Sequence, residues 1–436
     1  MIINDEDVVI IGAGAAGVGA GLALSRAGVP YIILEAKHRI GGRSFTDTQS
    51  LGHLWDRGCH WFHSADITPM RALADRLEHP YSTEPSKWSD ALHLGDRWAD
   101  EKELAEASAF IASEFGRIGQ AGTAQQDVAV QDILTQDDAW SPLMRDWMTL
   151  VSAHEPDQIS VLDFTSHDDT NVDLAVSGGV GALFELMARG LRIRTGSEVT
   201  HIRVNDGAVE VEATDDVLVR AGAAIITVST EVLRAGSIAF DPALPDTLTG
   251  ALDDLTMGHA EKIALSFEGD PFGLPQTSYV SIWDRSSADA RSVWFELMPF
   301  GRPLAIAHVG GTLARDLEAA GEDAMVDYAV EALRLAFGAD IVSQVKQVAT
   351  TNWSSDPHVR GAYSCARPGK AASRAALREP IAERIFMAGE ATSERFYATC
   401  HGAYLSGIDA AHAAAELVGH WRHDKDPCWL PGVQPD

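Results

Sequence analysis

Near the start of the chain, two continuous hydrophobic runs flank a segment rich in glycine and alanine. The first run covers residues 8–11 and the second covers residues 31–34. Runs without polar interruption are typical of strands that are buried on both faces of a parallel sheet. The small and apolar residues between them, up to Ala27, suit a helix that packs on such a sheet. The pattern therefore predicts a β-α-β unit.

The glycines between these runs follow the spacing G-x-G-x-x-G. Gly12 permits the tight turn, Gly14 lets the backbone approach a pyrophosphate, and Gly17 lets helix and strand pack closely. A diphosphate would bind the free N–H groups at the helix start, which includes Ala15 and Ala16. The unit therefore predicts a dinucleotide site.

The second run ends in an acidic residue, Glu35, about twenty residues past the glycines, where a ribose-binding carboxylate is expected. Glycines of this spacing also occur in ordinary β-α-β turns. The full order of strand, glycines, helix, strand and acid makes a dinucleotide site the better interpretation.

Later in the chain the hydrophobic pattern changes twice. Between residues 69 and 170 it has helical spacing, most clearly over residues 101–118. Beyond residue 260, strand-like runs precede one long amphipathic helix that we expect over residues 314–337. Strand alternation places Lys262 on the face opposite the large apolar side chains of its run. The strand-like runs cover residues 261–267, 278–283, 293–298 and 304–309.

Composition narrows the class of protein. The chain has 436 residues, enough for two domains, with 34 basic and 63 acidic residues and a net charge of −29. Such acidity argues against nucleic acid or an anionic membrane as a partner. It is compatible with capture of cationic amines, although an acidic surface that keeps the protein in solution is the commoner reason for it. The four cysteines show no metal-ligand spacing, so we expect no metal and reduced thiols.

The sequence also suggests a location. No apolar run reaches the roughly 20 residues that span a bilayer, and no signal peptide precedes residue 8. We therefore expect a soluble cytoplasmic protein without membrane contact. The oligomeric state stays open, with a homodimer as one option.

The segment directly after Glu35 carries further glycines and arginines. Arg39, Gly41, Gly42 and Arg43 form an R-x-G-G-R pattern, whose backbone N–H groups and arginine fork can bind phosphate oxygens. This pattern resembles the signature of the flavin amine oxidase superfamily, which includes monoamine, polyamine and L-amino-acid oxidases and flavin histone demethylases. The resemblance implies FAD as the cofactor.

Residues 56–63 resemble the family's D-x-G-x-x-W-x-H segment, which runs beneath the flavin ring. His63 matches the active-site histidine of several polyamine oxidases, a match that implies a hydrogen bond to the substrate nitrogen or acceptance of its proton. From the residue alone, a histidine beside Trp61 and Phe62 is more often a core residue with its hydrogen bonds satisfied. The implied cofactor contacts in this segment are Gly58, Cys59, His60 and Trp61.

A second fingerprint lies near the other end of the chain. Residues 387–392 and 401–411 are similar to the A-G-E-A-T and H-G-A-x-x-S-G segments of polyamine oxidases. By this resemblance Gly389 and Glu390 contact the ribityl and phosphate part of FAD, and Thr399 faces the ring. Val199, in a strand-like run over residues 198–204, completes the implied cofactor contacts.

The resemblance also implies the residues around the reacting centre. Lys262 matches the lysine that holds a water near flavin N5, although a lone lysine on a strand is otherwise a solvated residue. Trp353 and Tyr363 lie in a segment that resembles W-x-x-D-P-x-x-x-G-A-Y-S, so Trp353 flanks the flavin and Tyr363 forms one wall of an aromatic cage, with Thr399 opposite. The cysteine that binds flavin covalently in monoamine oxidases falls on Ala362, so we expect non-covalent FAD.

The implied fold is α/β, a Rossmann-type FAD-binding domain interleaved with an α+β substrate-binding domain. We expect the FAD-binding domain in residues 1–68, 175–245 and 351–436. We expect the substrate domain in residues 69–174, mainly helical, and 246–350.

The implied reaction is transfer of a hydride from the carbon next to an amine nitrogen to flavin N5. The products are an imine, then an aldehyde or ketone, and hydrogen peroxide from oxygen. We expect a polyamine or another aliphatic amine as the substrate. The alternatives are an L-amino-acid oxidase that uses Arg285, Arg291 or Arg302 for the carboxylate, a flavin desaturase, a non-catalytic flavoprotein scaffold, and a nicotinamide enzyme.

Overall fold

The structure is a computed structural model that describes residues 1–4, 6–287, 290–420 and 426–431. Helices and strands alternate throughout these residues. The helices are α1 (Ala15–Ala27), α2 (Met70–Arg76), α3 (Glu101–Thr123), α4 (Val130–Ile133), α5 (Ser141–Ser152), α6 (Val161–Ser166), α7 (Val180–Met187), α8 (Thr230–Arg234), α9 (Asp246–Asp254), α10 (Gly311–Ala320), α11 (Glu322–Phe337) and α12 (Cys400–Leu417). The strands are β1 (Ile2–Ile3), β2 (Val8–Ile11), β3 (Tyr31–Glu35), β4 (Thr46–Asp47), β5 (Trp55–Asp56), β6 (Trp61–Phe62), β7 (Ala91–His93), β8 (Leu174–Ala175), β9 (Ile193–Thr195), β10 (Val199–Asn205), β11 (Ala208–Ala213), β12 (Leu218–Ala221), β13 (Ala223–Ile226), β14 (Ala239–Asp241), β15 (Leu255–Met257), β16 (Ala260–Phe267), β17 (Ser278–Ile282), β18 (Val293–Leu297), β19 (Leu304–Gly310), β20 (Val345–Thr350), β21 (Ser364–Ala366) and β22 (Ile385–Met387).

The predicted β-α-β unit lies in a five-stranded parallel sheet with the order β22-β13-β2-β3-β9. Every residue of β2 and β3 is buried, as their continuous apolar runs require. Helix α1 packs against α12 from the other end of the chain. The approach is close because Gly407 faces α1, where an added Cβ would lie 2.0 Å from the carbonyl oxygen of Ala16.

A six-stranded sheet with the order β20-β16-β19-β18-β17-β7 forms the centre of the second region. Its strands are antiparallel, except that β7 pairs with β17 in parallel. One face packs on α11 through the apolar positions of β16 to β19. The other face carries Lys262 and turns towards the first region.

A third sheet, with the order β1-β12-β11-β10-β14, packs on the parallel sheet. The fold is α/β, with a Rossmann-type sheet and an additional α+β region, as the sequence predicts. The two regions draw their strands from alternating parts of the chain. The exact boundaries between the five predicted segments stay a prediction.

Two features differ from the sequence pattern. The helix expected over residues 314–337 is two helices, α10 and α11, because Gly321 between them has a φ of +99° that a continuing helix does not allow. The mainly helical part also contains one short strand, β7, at the edge of the six-stranded sheet. Within the described residues, none of the helices is long and apolar enough to cross a membrane.

Candidate active site

A cavity of about 1190 Å³ lies where the carboxyl ends of the parallel strands meet the inner face of the six-stranded sheet. Nearly all residues that the sequence analysis singled out border it. Gly17 does not, because it packs against the glycine turn. The bordering predicted residues are Gly12, Gly14, Ala15, Ala16, Glu35, Gly41, Gly42, Arg43, Gly58, Cys59, His60, Trp61, His63, Val199, Lys262, Trp353, Tyr363, Gly389, Glu390 and Thr399.

The glycine turn has the geometry that dinucleotide binding needs. Gly12 has a φ of +101°, and an added Cβ would lie 2.5 Å from the hydroxyl oxygen of Thr227. A Cβ on Gly17 would lie 1.9 Å from the carbonyl oxygen of Gly12, so only glycine permits this packing. A Cβ on Gly14 would meet no protein atom closer than 3.9 Å. The open side of Gly14 therefore leaves room for a phosphate against the backbone.

Glu35 lies at the end of β3 beside this turn. Its two carboxylate oxygens accept hydrogen bonds from the backbone N–H groups of Ala13 at 2.7 Å and Lys37 at 2.8 Å. These bonds fix a buried carboxylate at the cavity edge, and each oxygen keeps a lone pair for another donor. The arrangement fits a ribose hydroxyl.

Arg43 and Glu390 form an ion pair at 3.2 Å that joins the two fingerprints from opposite ends of the chain. Arg43 also donates to the carbonyl of Ala362, and Glu390 accepts from the hydroxyl of Ser364 at 2.7 Å. Burial alone would raise the pKa of Glu390, but the Arg43 guanidinium and the Ser364 hydroxyl outweigh it and lower the pKa. Glu390 is thus a fixed anion at the cavity wall.

Together these segments fit FAD. The open glycine turn, the Gly41–Gly42 backbone and Arg43 can hold its diphosphate, and Glu35 can hold a ribose. The segment Gly58–Trp61 and residues Trp353 and Thr399 border the remaining part of the cavity. Bound FAD would supply a hydride acceptor there.

Lys262 is buried, with 9% of its surface exposed, and is not the solvated residue that a lone strand lysine suggests. Its ammonium donates to the carbonyl oxygens of Asp56 at 2.9 Å and Gly58 at 2.8 Å. Burial lowers the pKa of Lys262, while the carboxylates of Asp56 and Glu296 oppose that change. The lysine is therefore held in place at the segment predicted to run beneath the flavin.

His60 lies between two buried carboxylates. Its Nε2 lies 3.1 Å from Glu296 and its Nδ1 lies 3.4 Å from Asp56. Burial would lower the pKa of His60, but the two carboxylates prevail and raise it to about 9. His60 is therefore a cation at neutral pH, and it balances a buried charge. Sequence reasoning missed Glu296, although an acidic residue within the apolar run of β18 was a visible signal.

Next to these charges the cavity is aromatic. The ring of Trp61 lies 5.1 Å from that of Trp88 and 6.0 Å from that of Trp294. The Tyr363 hydroxyl donates to the carbonyl of Leu150 at 3.0 Å, which fixes the ring. Trp88 and Trp294 were not predicted, because each comes from a separate segment whose pattern gives no sign of the cavity.

Thr399 is the N-cap of α12. Its hydroxyl accepts from the Gly402 N–H at 3.0 Å and donates to the carbonyl of Phe396 at 2.7 Å. The threonine borders the cavity, but its hydroxyl is used for capping. Its predicted place in the aromatic cage stays a prediction.

His63 faces the aromatic part of the cavity and is 39% exposed there. Its Nδ1 lies 2.9 Å from Asp173, and its ring stacks on Trp88 with an interplanar angle of 11°. Burial would lower the pKa of His63, but the hydrogen bond and charge of Asp173 raise it. Nε2 has no partner among the described residues. Asp173, 110 positions away, could not be linked to His63 from sequence.

The far wall comes from the helical part of the chain. It is mostly apolar on α3 and α5, and the loop before β8 adds polar groups. Such a wall suits methylene or aromatic groups. The apolar residues are Leu104, Ala107, Ile111, Phe115, Ile118, Leu143, Trp147 and Leu150, and the polar ones are His167, Asp169, Asn171 and Asp173.

The three arginines considered for a substrate carboxylate are engaged elsewhere. Arg291 borders the cavity but pairs with Asp146 at 2.5 Å and Glu155 at 3.3 Å. Arg302 donates to the carbonyls of Leu54 and Ser177. Arg285 stacks over Trp140 and Trp283, away from the cavity lining.

Comparison with known proteins bears on these features. The family profile described as flavin containing amine oxidoreductase matches residues 15–168 and 81–415, in overlapping parts. Polyamine oxidase 4 of Oryza sativa subsp. japonica is 27% identical over 95% of this chain and 90% of its own length. Polyamine oxidase 2 of Arabidopsis thaliana is 28% identical over 94% of this chain and 88% of its own.

Histone demethylases also match. Lysine-specific histone demethylase 1 homolog 2 of Arabidopsis thaliana is 27% identical over 96% of this chain but only 60% of its own length. Among solved structures, a double mutant of putrescine oxidase with redesigned cofactor binding superposes with a TM-score of 0.76 at 20% identity. That superposition covers 96% of this chain and 100% of the other chain, and it supports the fold.

The resemblance in the fingerprints is confirmed, and the nicotinamide alternative is wrong because the family profile spans both FAD segments. The chain belongs to the flavin-containing amine oxidase family and is an FAD-dependent amine oxidase.

Proposed function

We propose that this enzyme oxidises an aliphatic amine, with polyamines among its substrates, to an imine that water hydrolyses to an aldehyde or ketone. FAD held by the glycine turn, Glu35 and Arg43 would supply the acceptor for a hydride from the carbon next to nitrogen, and oxygen would be the final acceptor of the two electrons, giving hydrogen peroxide. The polyamine oxidases among its relatives support this substrate class.

The observation that carries the proposal is the His63–Asp173 pair. It lies where residues 56–63 meet the aromatic part of the cavity, which is formed by Trp61, Trp88 and Trp294. An aliphatic amine is mostly protonated at neutral pH, and its nitrogen lone pair must be free before the hydride can leave. Asp173 occupies Nδ1 of His63, so the free Nε2 can take the ammonium proton. Trp61 and Tyr363 can hold the amine and exclude water.

The remaining wall favours an aliphatic chain. The apolar residues of α3 and α5 can pack methylene groups, while Asp169 on the polar loop is an exposed carboxylate that can attract a second ammonium. The arginine fork that an α-amino acid needs is not free at Arg291, Arg285 or Arg302, which speaks against an L-amino-acid oxidase.

The test is an anaerobic titration of the yellow protein with flavin absorbance followed throughout. The panel contains putrescine, spermidine, spermine, a straight-chain alkyl monoamine, an aromatic monoamine and neutral L-amino acids. Bleaching by the di- and polyamines or the alkyl monoamine, with one peroxide per turnover in air, supports the proposal. Bleaching by amino acids alone would support the amino-acid oxidase. No bleaching by any compound would favour the desaturase or the scaffold.

A further inference from the structure

A row of side chains crosses the inner face of the six-stranded sheet at the level of Lys262. In the strand register, Lys262 on β16 lies opposite His308 on β19, and His308 lies opposite Trp294 on β18. All three border the cavity. Directly opposed residues in antiparallel strands have Cβ atoms about 5 Å apart. His308 is therefore the immediate neighbour of the lysine.

His308 is held by rings rather than by hydrogen bonds. Its ring lies 4.8 Å from that of Trp294, edge to face, and 5.8 Å from that of Trp61. Its Nε2 is buried, and the described residues offer it no hydrogen-bond partner. A buried polar group in a folded protein nearly always has a partner, which can be an ordered water.

Lys262 also has a hydrogen-bond donor that the protein does not use. Two of its three N–H groups donate to Asp56 and Gly58, which leaves one for another acceptor. Its Nζ lies 5.9 Å from the centre of the Trp61 ring, nearly the same distance as His308 lies from that ring. The lysine ammonium and the imidazole therefore both lie within about 6 Å of the same ring.

Burial and the neighbouring positive charges keep the imidazole of His308 neutral. Burial, Lys262 and His60 together lower the pKa of His308 well below its ordinary value. The carboxylates of Glu296 and Asp56 lie nearby but pair with His60. A neutral imidazole has one N–H and one bare nitrogen, so it can bind a water as donor or acceptor beside a cationic lysine.

We propose that His308 is a positioning residue that holds, jointly with Lys262, one water molecule at the cavity wall, and that this water speeds the reaction of the reduced enzyme with oxygen. The inference rests on the proposed oxidase function. It concerns a residue outside both fingerprints, so it adds a second protein partner for the water that the family resemblance assigns to Lys262.

The kinetic test uses holoenzyme reduced by light or stoichiometric dithionite, without amine, and then mixed with oxygenated buffer. We expect His308→Leu to slow flavin reoxidation about tenfold. His308→Gln should stay within about threefold of the wild-type rate, because its amide can both donate and accept hydrogen bonds. Ser266→Ala, on the same face of β16 and hydrogen-bonded to Gln347, serves as the matched control. Amine reduction under anaerobic conditions should be unchanged in Ser266→Ala.

A structural readout is independent of activity. In a crystal structure of the oxidised holoenzyme we expect an ordered water within hydrogen-bond distance of both Lys262 Nζ and a ring nitrogen of His308. The water should persist in His308→Gln and disappear in His308→Leu. This readout also decides the case if His308→Leu does not fold.

The outcomes distinguish a failure of the oxidase function from a failure of the role assigned to His308. A wild-type enzyme that reacts with oxygen no faster than free reduced flavin would overturn the oxidase function and the inference with it. Fast wild-type reoxidation with equal rates in His308→Leu, or a crystal structure with no water between the two residues, would overturn the inference alone.

Discussion

Nδ1 of His63 lies 2.9 Å from a carboxylate oxygen of Asp173, which also accepts the backbone N–H of Ser64 at 3.3 Å. The aspartate therefore fixes both the ring and its tautomer. Nε2 is left for a group inside the cavity. The same carboxylate therefore sets both the orientation of the His63 ring and its basicity.

The first prediction concerns the pH dependence of amine oxidation. Asp173 raises the pKa of His63, and only the neutral imidazole can accept a proton. The rate of flavin reduction should therefore rise with pH through this raised pKa. Asp173→Asn removes the charge, so the rising limb should move to lower pH while the plateau falls about tenfold.

Anaerobic stopped-flow reduction between pH 5.5 and 9 measures this limb. Asp168→Asn is the matched control, because Asp168 belongs to the same loop but pairs with Arg395 on the surface. If the rate of flavin reduction rises over the same pH range in Asp173→Asn as in wild type, His63 does not take the substrate proton.

The second prediction concerns Lys262. Replacing it by methionine keeps the length of the side chain but removes the buried cation bound to Asp56 and Gly58. We expect reoxidation of the reduced flavin to slow about 100-fold, since charge develops on oxygen during that step. Lys346→Met on the neighbouring strand β20, where the lysine pairs with Glu268 on the surface, should react like wild type. A wild-type rate in Lys262→Met would remove the lysine from the reaction with oxygen.

The third prediction concerns Glu35. Glutamine at this position can accept only one of the two hydrogen bonds that Glu35 accepts from the backbone N–H groups of Ala13 and Lys37. It also lacks the negative charge that would face a ribose hydroxyl. FAD affinity should fall about tenfold, in line with the loss of one charge-assisted hydrogen bond. Fluorescence titration of apoprotein with FAD measures the change. Glu331→Gln, exposed on α11, should bind FAD like wild type.

The fourth prediction concerns stability. Glu261 is buried, and burial raises its pKa to about 8 despite the hydrogen bond from Thr351. Between its unfolded pKa and 8 the folded state binds a proton that the unfolded state has lost, so Glu261 reduces stability as pH rises. Glu261→Gln mimics the protonated form, and its gain in stability over wild type should be larger at pH 8.5 than at pH 5 by about 4 kcal/mol, at about 1.4 kcal/mol for each pH unit between 5 and the raised pKa. Denaturant unfolding with saturating FAD at both values tests this, and equal differences at the two values would contradict it.

The fifth prediction concerns attachment of the cofactor. Ala362 has no thiol at the position of the family's covalent link, so acid precipitation should release all FAD into the supernatant. Cys59, Cys365 and Cys400 also border the cavity. Flavin that stays in the pellet of wild type but not of the Cys59→Ser, Cys365→Ser or Cys400→Ser variant would show that the replaced thiol binds it.

Local chemistry made part of the site predictable. The glycine turn and Glu35 act within a single β-α-β unit, where spacing along the chain fixes spacing in the fold. Lys262 could be placed on a face by alternation, but whether that face was buried depended on the sheet that packs against it. The fingerprint resemblance supplied the rest of the FAD segments.

The site residues that the sequence did not predict were missed for one physical reason. Glu296, His308 and Asp173 meet their partners through strand register or across loops, over separations of 236 residues between His60 and Glu296 and 110 between His63 and Asp173. No local pattern encodes such pairings. The break between α10 and α11 was different, because Gly321 was visible and its positive φ could have been suspected.

The hydrogen bond from Tyr363 to the carbonyl of Leu150 has a mechanical consequence. Tyr363 lies in the same fingerprint segment as Trp353, whereas Leu150 lies in the last turn of α5, in the part of the chain that has no fingerprint. A rotation or shift of α5 must either break this bond or carry the tyrosine ring with it. We therefore expect substitutions on the outer surface of α5 to change the shape of the cavity at Tyr363 without replacing any residue that lines it.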